Sequence, residues 1–187
     1  MKILSRCLPT ERSQHLLGLL LKATAFALLA ANCGLASAGV STTIHVEDVM
    51  AKIEVSDDHS TGGRQLGVTV DFGVAPGWHI YGEPLPPEYT PTKIKFDNHI
   101  VQSQSLKFPP PTPLRFEALD QTFPVYNGNF KVTGNLILKP KIDPGMYKLT
   151  GTIDFQECND SMCKMPQSAR FELPLTIAPS APGSPKA

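Results

Sequence analysis

Seventeen of the chain's 18 prolines fall after residue 38, and they limit what this sequence can fold into. Proline fixes φ, carries no backbone N–H and breaks helix interiors. At this density it argues against long helices and for short strands joined by fixed turns. The apolar pattern agrees. No window keeps a 3.6-residue apolar period, whereas Leu66, Val68, Val70, Phe72 and Val74 alternate and would share one strand face. Lys93-Ile94-Lys95-Phe96 alternates as well, and residues 130–138 do so less cleanly. Turn signals at Thr61-Gly62-Gly63, Ala75-Pro76-Gly77, Asn127-Gly128-Asn129 and Asp143-Pro144-Gly145 separate the runs. The expected fold class is all-β: a single immunoglobulin-like antiparallel β-sandwich.

Two stretches stand apart. Residues 82–91 hold Pro84, Pro86, Pro87 and Pro91, which rules out a central strand because each proline deletes a ladder donor. Residues 109–122 open with Pro109-Pro110-Pro111-Thr112-Pro113 and read as a second long connection, of the kind that often carries function.

The leader reads differently. Lys2, Arg6 and Arg12 give a positive start, residues 16–31 an apolar run interrupted by Lys22, and Ala36-Ser37-Ala38 a small-x-small cleavage pattern. Residues 1–38 are therefore expected to be a Sec-type signal peptide, with a periplasmic mature chain. The run falls short of the roughly 20 apolar residues of a spanning helix, which disfavours an uncleaved anchor. Cys33 leaves a lipoprotein open, although Asn32 stands where Gly or Ala would be expected. Residues 39–177 are expected to form the domain, and the Pro/Ser/Ala-rich residues 178–187 a disordered tail. Cleavage removes Lys2, Arg6, Arg12, Lys22 and Glu11, so 17 basic and 17 acidic groups become 13 and 16, a net charge of −3. No basic stripe is present, which excludes nucleic acid as a partner.

Cleavage also removes Cys7 and Cys33, leaving Cys158 and Cys163 as an even pair in an oxidising compartment. They lie on a short connection between two strand-like runs, residues 147–155 and 169–177. Three readings of the pair stand open. As a structural staple it would do little, since closing a ring of about six residues contributes roughly 2 kcal/mol against roughly 4.7 for a ring of 100. As a redox pair it would cycle between dithiol and disulfide. Glu157 and Asp160 would then raise the thiol pKa values, and Lys164 would favour the Cys163 thiolate. As a soft-metal site, Cys158, Met162, Cys163 and Met165, with His79 as a further candidate, would suit Cu(I).

One further pattern weighs on that choice. Pro76-Gly77-Trp78-His79-Ile80-Tyr81-Gly82 is followed by Pro91-Thr92-Lys93-Ile94, Phe108-Pro109 and Val125-Tyr126. The block Phe155-Gln156-Glu157-Cys158-Asn159-Asp160-Ser161-Met162-Cys163-Lys164-Met165-Pro166 completes it. The series resembles the N-terminal periplasmic domain of the thiol:disulfide interchange protein DsbD, the disulfide bond corrector family, over residues 47–177. The resemblance implies an immunoglobulin-like sandwich that takes electrons through Cys158 and Cys163 and passes them to thioredoxin-like periplasmic proteins. It also implies that Cys163 forms the mixed disulfide and that Tyr81 lies beside the pair. Plain core packing is the alternative for Trp78, Ile80 and Tyr81, and for Trp78 it is the preferred reading.

Two departures matter. Family members shield their cysteines with an Asp-Glu-Phe-Tyr-Gly segment, whereas residues 115–123 here offer Phe116, Glu117, Leu119 and Asp120. No membrane span follows, so either a separate membrane electron donor is expected or the fold serves another task. His45, His59 and His99 are scattered and build no Ser/His/Asp arrangement, and His79 is expected at the surface or half-buried. The expectation is thus a monomeric periplasmic exchange domain with no bound cofactor or metal. Its rival is a non-catalytic exported binding module, for a protein or Cu(I), with a structural disulfide.

Overall fold

A computed structural model of the chain describes residues 39–116 and 120–180. The expected signal peptide, residues 117–119 and most of the tail lie outside the described residues. Strands β1 (Val40–Val46), β2 (Val49–Val55), β3 (His59–Ser60), β4 (Gln65–Val74), β5 (His79–Tyr81), β6 (Lys93–Phe96) and β7 (Val101–Lys107) come first. They are followed by β8 (Thr112–Phe116), β9 (Gln121–Tyr126), β10 (Asn129–Leu138), β11 (Gly145–Phe155), β12 (Glu157–Cys158) and β13 (Gln167–Ile177). No helix occurs among the described residues.

Three sheets result, in the orders β1-β2-β4-β10-β7, β3-β13-β11-β6 and β12-β5-β9-β8. The first two carry the main core. Alternation puts Leu66, Val68, Val70, Phe72 and Val74 of β4 inward, as the sequence predicts. They join Val132, Leu136 and Leu138 of β10 and Leu149, Ile153 and Phe155 of β11 in one apolar cluster with Phe171, Leu173 and Leu175 of β13. All pairings are antiparallel except a two-residue parallel contact of β3 with Thr176 and Ile177. Beyond that contact β13 has β11 as its only ladder neighbour among the described residues, which lets Pro174 sit in the strand. The tail begins tied down, with the Ala178 N–H bonded to the Ser60 carbonyl at 2.7 Å.

Residues 82–91 form no strand, as expected. Residues 109–122 are not the long loop predicted: β8 pairs with β9 from Thr112↔Val125 to Phe116↔Gln121. Proline count misled here. Pro113 stands opposite Pro124, and in an antiparallel ladder every second pair exchanges no N–H bonds, so two facing prolines lose nothing. β8 is moreover an edge strand, where proline is tolerated.

Candidate redox site

The third sheet is where the cysteines arrive. β11 and β13 form a long hairpin paired from Gly145↔Ile177 to Phe155↔Gln167. At Gln156 the chain leaves that hairpin, and β12 joins β5 through Glu157↔Ile80 and Cys158↔His79. The Gln156 amide fixes the crossing: its oxygen accepts from the Thr90 N–H and its nitrogen donates to the Lys164 carbonyl, both at 3.1 Å.

Directly opposed residues share a face, and so do alternate residues of one strand. The registers therefore gather His79, Tyr81, Cys158, Val125, Phe123, Leu114 and Phe116 on one side of this sheet. There Tyr81, Phe123, Val125 and Cys158 form a small buried cluster with Leu85, Tyr89, Leu114 and Phe116 packed around it. Phe116 stacks edge-on against Phe123 and His79, at centroid distances of 5.3 and 5.2 Å. Tyr89, from the proline-rich connection, covers Tyr81 at 5.4 Å and Phe123 at 5.0 Å.

Cys158 and Cys163 are joined by a disulfide. Their surroundings are unequal: Cys158 is 0% exposed, whereas Cys163 sits on the exposed loop. The Tyr81 hydroxyl reaches both sulfurs, 3.2 Å from Cys158 Sγ and 3.6 Å from Cys163 Sγ. A disulfide sulfur has no proton, so the hydroxyl is the donor. Burial, with Tyr89 adding to it, pushes the Tyr81 pKa up to about 12, so the phenol keeps its proton at neutral pH.

The loop between the sulfurs has its own bonds. Asn159 Oδ1 accepts from the Ser161 and Met162 N–H groups at 2.9 Å, Asn159 N–H reaches the Met162 carbonyl, and Lys164 N–H reaches the Glu157 carbonyl. Lys164 anchors the far side. Its ammonium lies 2.7 Å from Asp48, 3.0 Å from Glu157 and 3.1 Å from Glu47, and 4.2 Å from the centre of the Trp78 ring. The Asp48 hydrogen bond above all, with Glu157 and Glu47, holds it charged above the usual lysine range, against desolvation.

This corrects two expectations about charge. Strand alternation turns Glu157 to the opposite face from Cys158, where Lys164 compensates it. The Lys164 ammonium in turn is committed to three carboxylates and the indole, so it is not an isolated cation beside Cys163. A third correction concerns His79. It is buried, 4% exposed, with Phe116 and Tyr81 packed against its ring at 5.2 and 6.0 Å. Desolvation lowers its pKa, Asp160 opposing, so the imidazole is neutral at pH 7.

The structure thus brings together Cys158, Cys163, Tyr81 and Phe116. Asp120 is exposed at the β8–β9 turn and bonded to Arg115, and Glu117 and Leu119 lie outside the described residues. Trp78 packs half-buried on the main core and Ile80 lies within it, as the packing reading held. Met162 and Met165 are 55% and 78% exposed, whereas Cys158 is fully buried. No group of three or more His, Cys, Asp or Glu suited to a metal ion occurs among the described residues. Sequence reading missed Tyr89, Phe123 and the Gln156 clamp. The alternation Phe123-Pro124-Val125 was a usable signal for Phe123, whereas Tyr89 follows no periodic pattern.

An all-β sandwich with one shielded and one accessible sulfur at the end of a hairpin defines a class, the disulfide-bearing immunoglobulin-like domains. Within it the chain belongs to the family of the N-terminal domain of the thiol:disulfide interchange protein DsbD, whose pattern matches residues 43–175. It is accordingly a domain of the thiol:disulfide exchange type. Its fold is similar to the N-terminal periplasmic domain of ScsB from Proteus mirabilis, at 12% identity and a TM-score of 0.52. That match covers 73% of this chain and 50% of the other, so the chain spans half of the ScsB domain's length. A family 123 glycoside hydrolase from Clostridium perfringens matches at 13% identity and a TM-score of 0.32, over 64% of this chain and 22% of that one. No curated protein matches the chain. Among the described residues no helix is long and apolar enough to cross a membrane.

Proposed function

We propose that this chain is a periplasmic electron relay, in which a donor reduces the Cys158–Cys163 disulfide and the resulting dithiol reduces oxidised protein clients. The leader, residues 1–38, exports it and is cleaved, leaving residues 39–177 as the working domain. The donor is a membrane protein, and the clients are thioredoxin-like periplasmic proteins.

One observation carries this reading: the two sulfurs are unequal. Cys163 is exposed and Cys158 is buried under aromatic rings, with a phenol donor within reach of both. In exchange chemistry a thiolate attacks one sulfur of a disulfide through a mixed intermediate, and access decides which sulfur is used. Cys163 therefore meets the partner and Cys158 resolves the intermediate. Tyr81 donates a hydrogen bond to whichever sulfur carries charge. Phe116, at the end of an edge strand, acts as the cover that a docking partner displaces, and Asp120 stands at the turn that follows β8. A staple would add little to a loop already held by the Asn159, Lys164 and Gln156 bonds.

The test is trapping. With Cys158→Ser, Cys163 is expected to accumulate a covalent adduct with an oxidised thioredoxin-like protein, visible by mass spectrometry and reversed by dithiothreitol. Cys163→Ser is expected to trap nothing. Absence of an adduct in both variants, with the folded state retained, would return the pair to a structural role.

A further inference from the structure

We propose that His79 is the general base and acid of the buried sulfur, taking the proton of Cys158 when the disulfide closes and returning it when the disulfide opens. This deepens the exchange reading above and rests on it.

The chemistry sets a demand. Only a thiolate attacks a disulfide, and an apolar environment raises a thiol's pKa. Cys158 is 0% exposed among Tyr81, Phe123 and Val125, so its thiolate forms reluctantly. A base on the sulfur's side of the sheet would meet that demand. Glu157 is on the other face and ion-paired with Lys164 at 3.0 Å. Tyr81 keeps its proton far beyond neutral pH and so supplies no base. Arg115 alternates to the opposite face of β8 from Phe116 and bonds Asp120. Asp160 is exposed on the loop, and its charge acts on His79 from there.

His79 is placed for the task. It stands directly opposite Cys158 in the β5–β12 register, which puts the two Cβ atoms about 5 Å apart on one face. Its ring packs against Tyr81 and Phe116 at 6.0 and 5.2 Å, and burial keeps it neutral. Among buried side-chain nitrogen and oxygen atoms of the described residues, only His79 Nε2 and the two Glu157 oxygens lack a hydrogen bond. The Glu157 carboxylate is compensated by the Lys164 ammonium; Nε2 is compensated by nothing. Buried polar atoms in folded proteins are nearly always paired, so an unpaired one calls for an explanation. The oxidised pair has no S–H to offer, and reduction creates one opposite the imidazole. His79 also forms part of the wall of a recess of about 360 Å³ with Trp78, Leu114 and Asp160, a route by which a proton can leave.

The steps balance. The Cys163 thiolate attacks a client disulfide, forming a Cys163–client bond and releasing the first client thiolate. The Cys158 S–H proton then passes to His79 Nε2, and the sulfur's electron pair attacks Cys163 Sγ. The bond from Cys163 to the client breaks, its electron pair leaves on the client sulfur, and the proton follows from His79 through the recess. Two electrons have moved to the client, and the Cys158–Cys163 disulfide is restored. Reduction by the donor runs the same proton transfer backwards.

The reduced mature protein can be mixed with a nitrobenzoate disulfide, which releases one coloured thiolate when Cys163 attacks and a second when Cys158 closes the ring. His79→Phe should leave the first phase unchanged and slow the second about 100-fold at pH 7, the usual scale of general-base catalysis. The slowed phase should then rise about tenfold per pH unit, as unassisted thiol ionisation requires. His79→Gln, which keeps a polar side chain without a base, should lose as much. A second phase of wild-type rate and pH profile in either variant overturns the proposal and leaves the exchange reading intact. Absence of both phases in the wild type overturns both. Should the variants not fold, the wild-type imidazole ¹⁵N shifts decide: Nε2 is expected to move on reduction, and identical shifts in both redox forms overturn the assignment.

Discussion

The two apolar clusters of this domain are built from different materials. The main cluster between the large sheets is dominated by aliphatic side chains, with Ile53, Val70, Val132, Leu136, Leu149 and Leu173 all fully buried. The small cluster on the third sheet is aromatic, and polar atoms stand within it or at its border: the Tyr81 hydroxyl, the His79 imidazole and the Cys158 sulfur. Aliphatic burial yields stability roughly in proportion to area and asks for no partners. The aromatic cluster instead excludes water around groups that change charge, which strengthens each electrostatic contact and raises the cost of leaving one unpaired. One cluster holds the fold and the other conditions two sulfurs.

That division can be broken by experiment. The largest effect on stability belongs to the main core. Leu173→Ala is expected to cost about 2–5 kcal/mol in urea unfolding, through lost burial and the cavity left behind. The rate at which Cys163 reacts with a disulfide should not change in the same variant under folding conditions. A parallel loss of both would mean that the clusters act as one.

Tyr81→Phe should do the reverse. It keeps the ring and removes the donor to Cys158 Sγ. A hydrogen bond to a charged group is worth about 1.5–3 kcal/mol, so the Cys158 thiol pKa should rise by about one unit or more, read by thiol alkylation against pH. An unchanged thiol pKa would remove Tyr81 from the chemistry.

The smallest effect appears in alkaline solution. Burial raises the Tyr81 pKa to about 12, from 10.0. Burial first, and Glu83 second, raise that of Tyr126 as well. The folded state therefore keeps protons that the unfolded chain has lost, so stability is full below pH 10 and falls as pH rises towards 12. Tyr81→Phe should flatten part of that fall, as followed by unfolding midpoints at pH 9, 10 and 11. An identical slope would place the alkaline loss elsewhere.

How much of this was legible beforehand follows the same division. The main core was legible because its signal is a period of two: the alternation from Leu66 to Val74 dictates which side chains point inward. The hairpin that presents the cysteines was legible for the same reason. The third sheet was less so. β5 and β12 hold three and two residues, too short for a period, and their pairing joins positions 79 and 158. His79 consequently read as a surface or half-buried residue, and Glu157 and Lys164 as direct modulators of the sulfurs beside them in sequence. Register decides those questions, and register between distant strands is set by packing that one strand's residues do not reveal. The β8–β9 hairpin was hidden by Pro113 and Pro124, whose harmless opposition only the pairing discloses.

The claim on which the account rests is that the Cys158–Cys163 bond is an exchangeable one. Equilibration of the mature protein in glutathione buffers of graded poise, with the dithiol fraction counted by alkylation and mass spectrometry, tests it directly. The account predicts a reversible transition at a potential clearly above the roughly −300 mV below which structural disulfides lie. A pair that stays oxidised through the whole series, and that thioredoxin also fails to open, would contradict it.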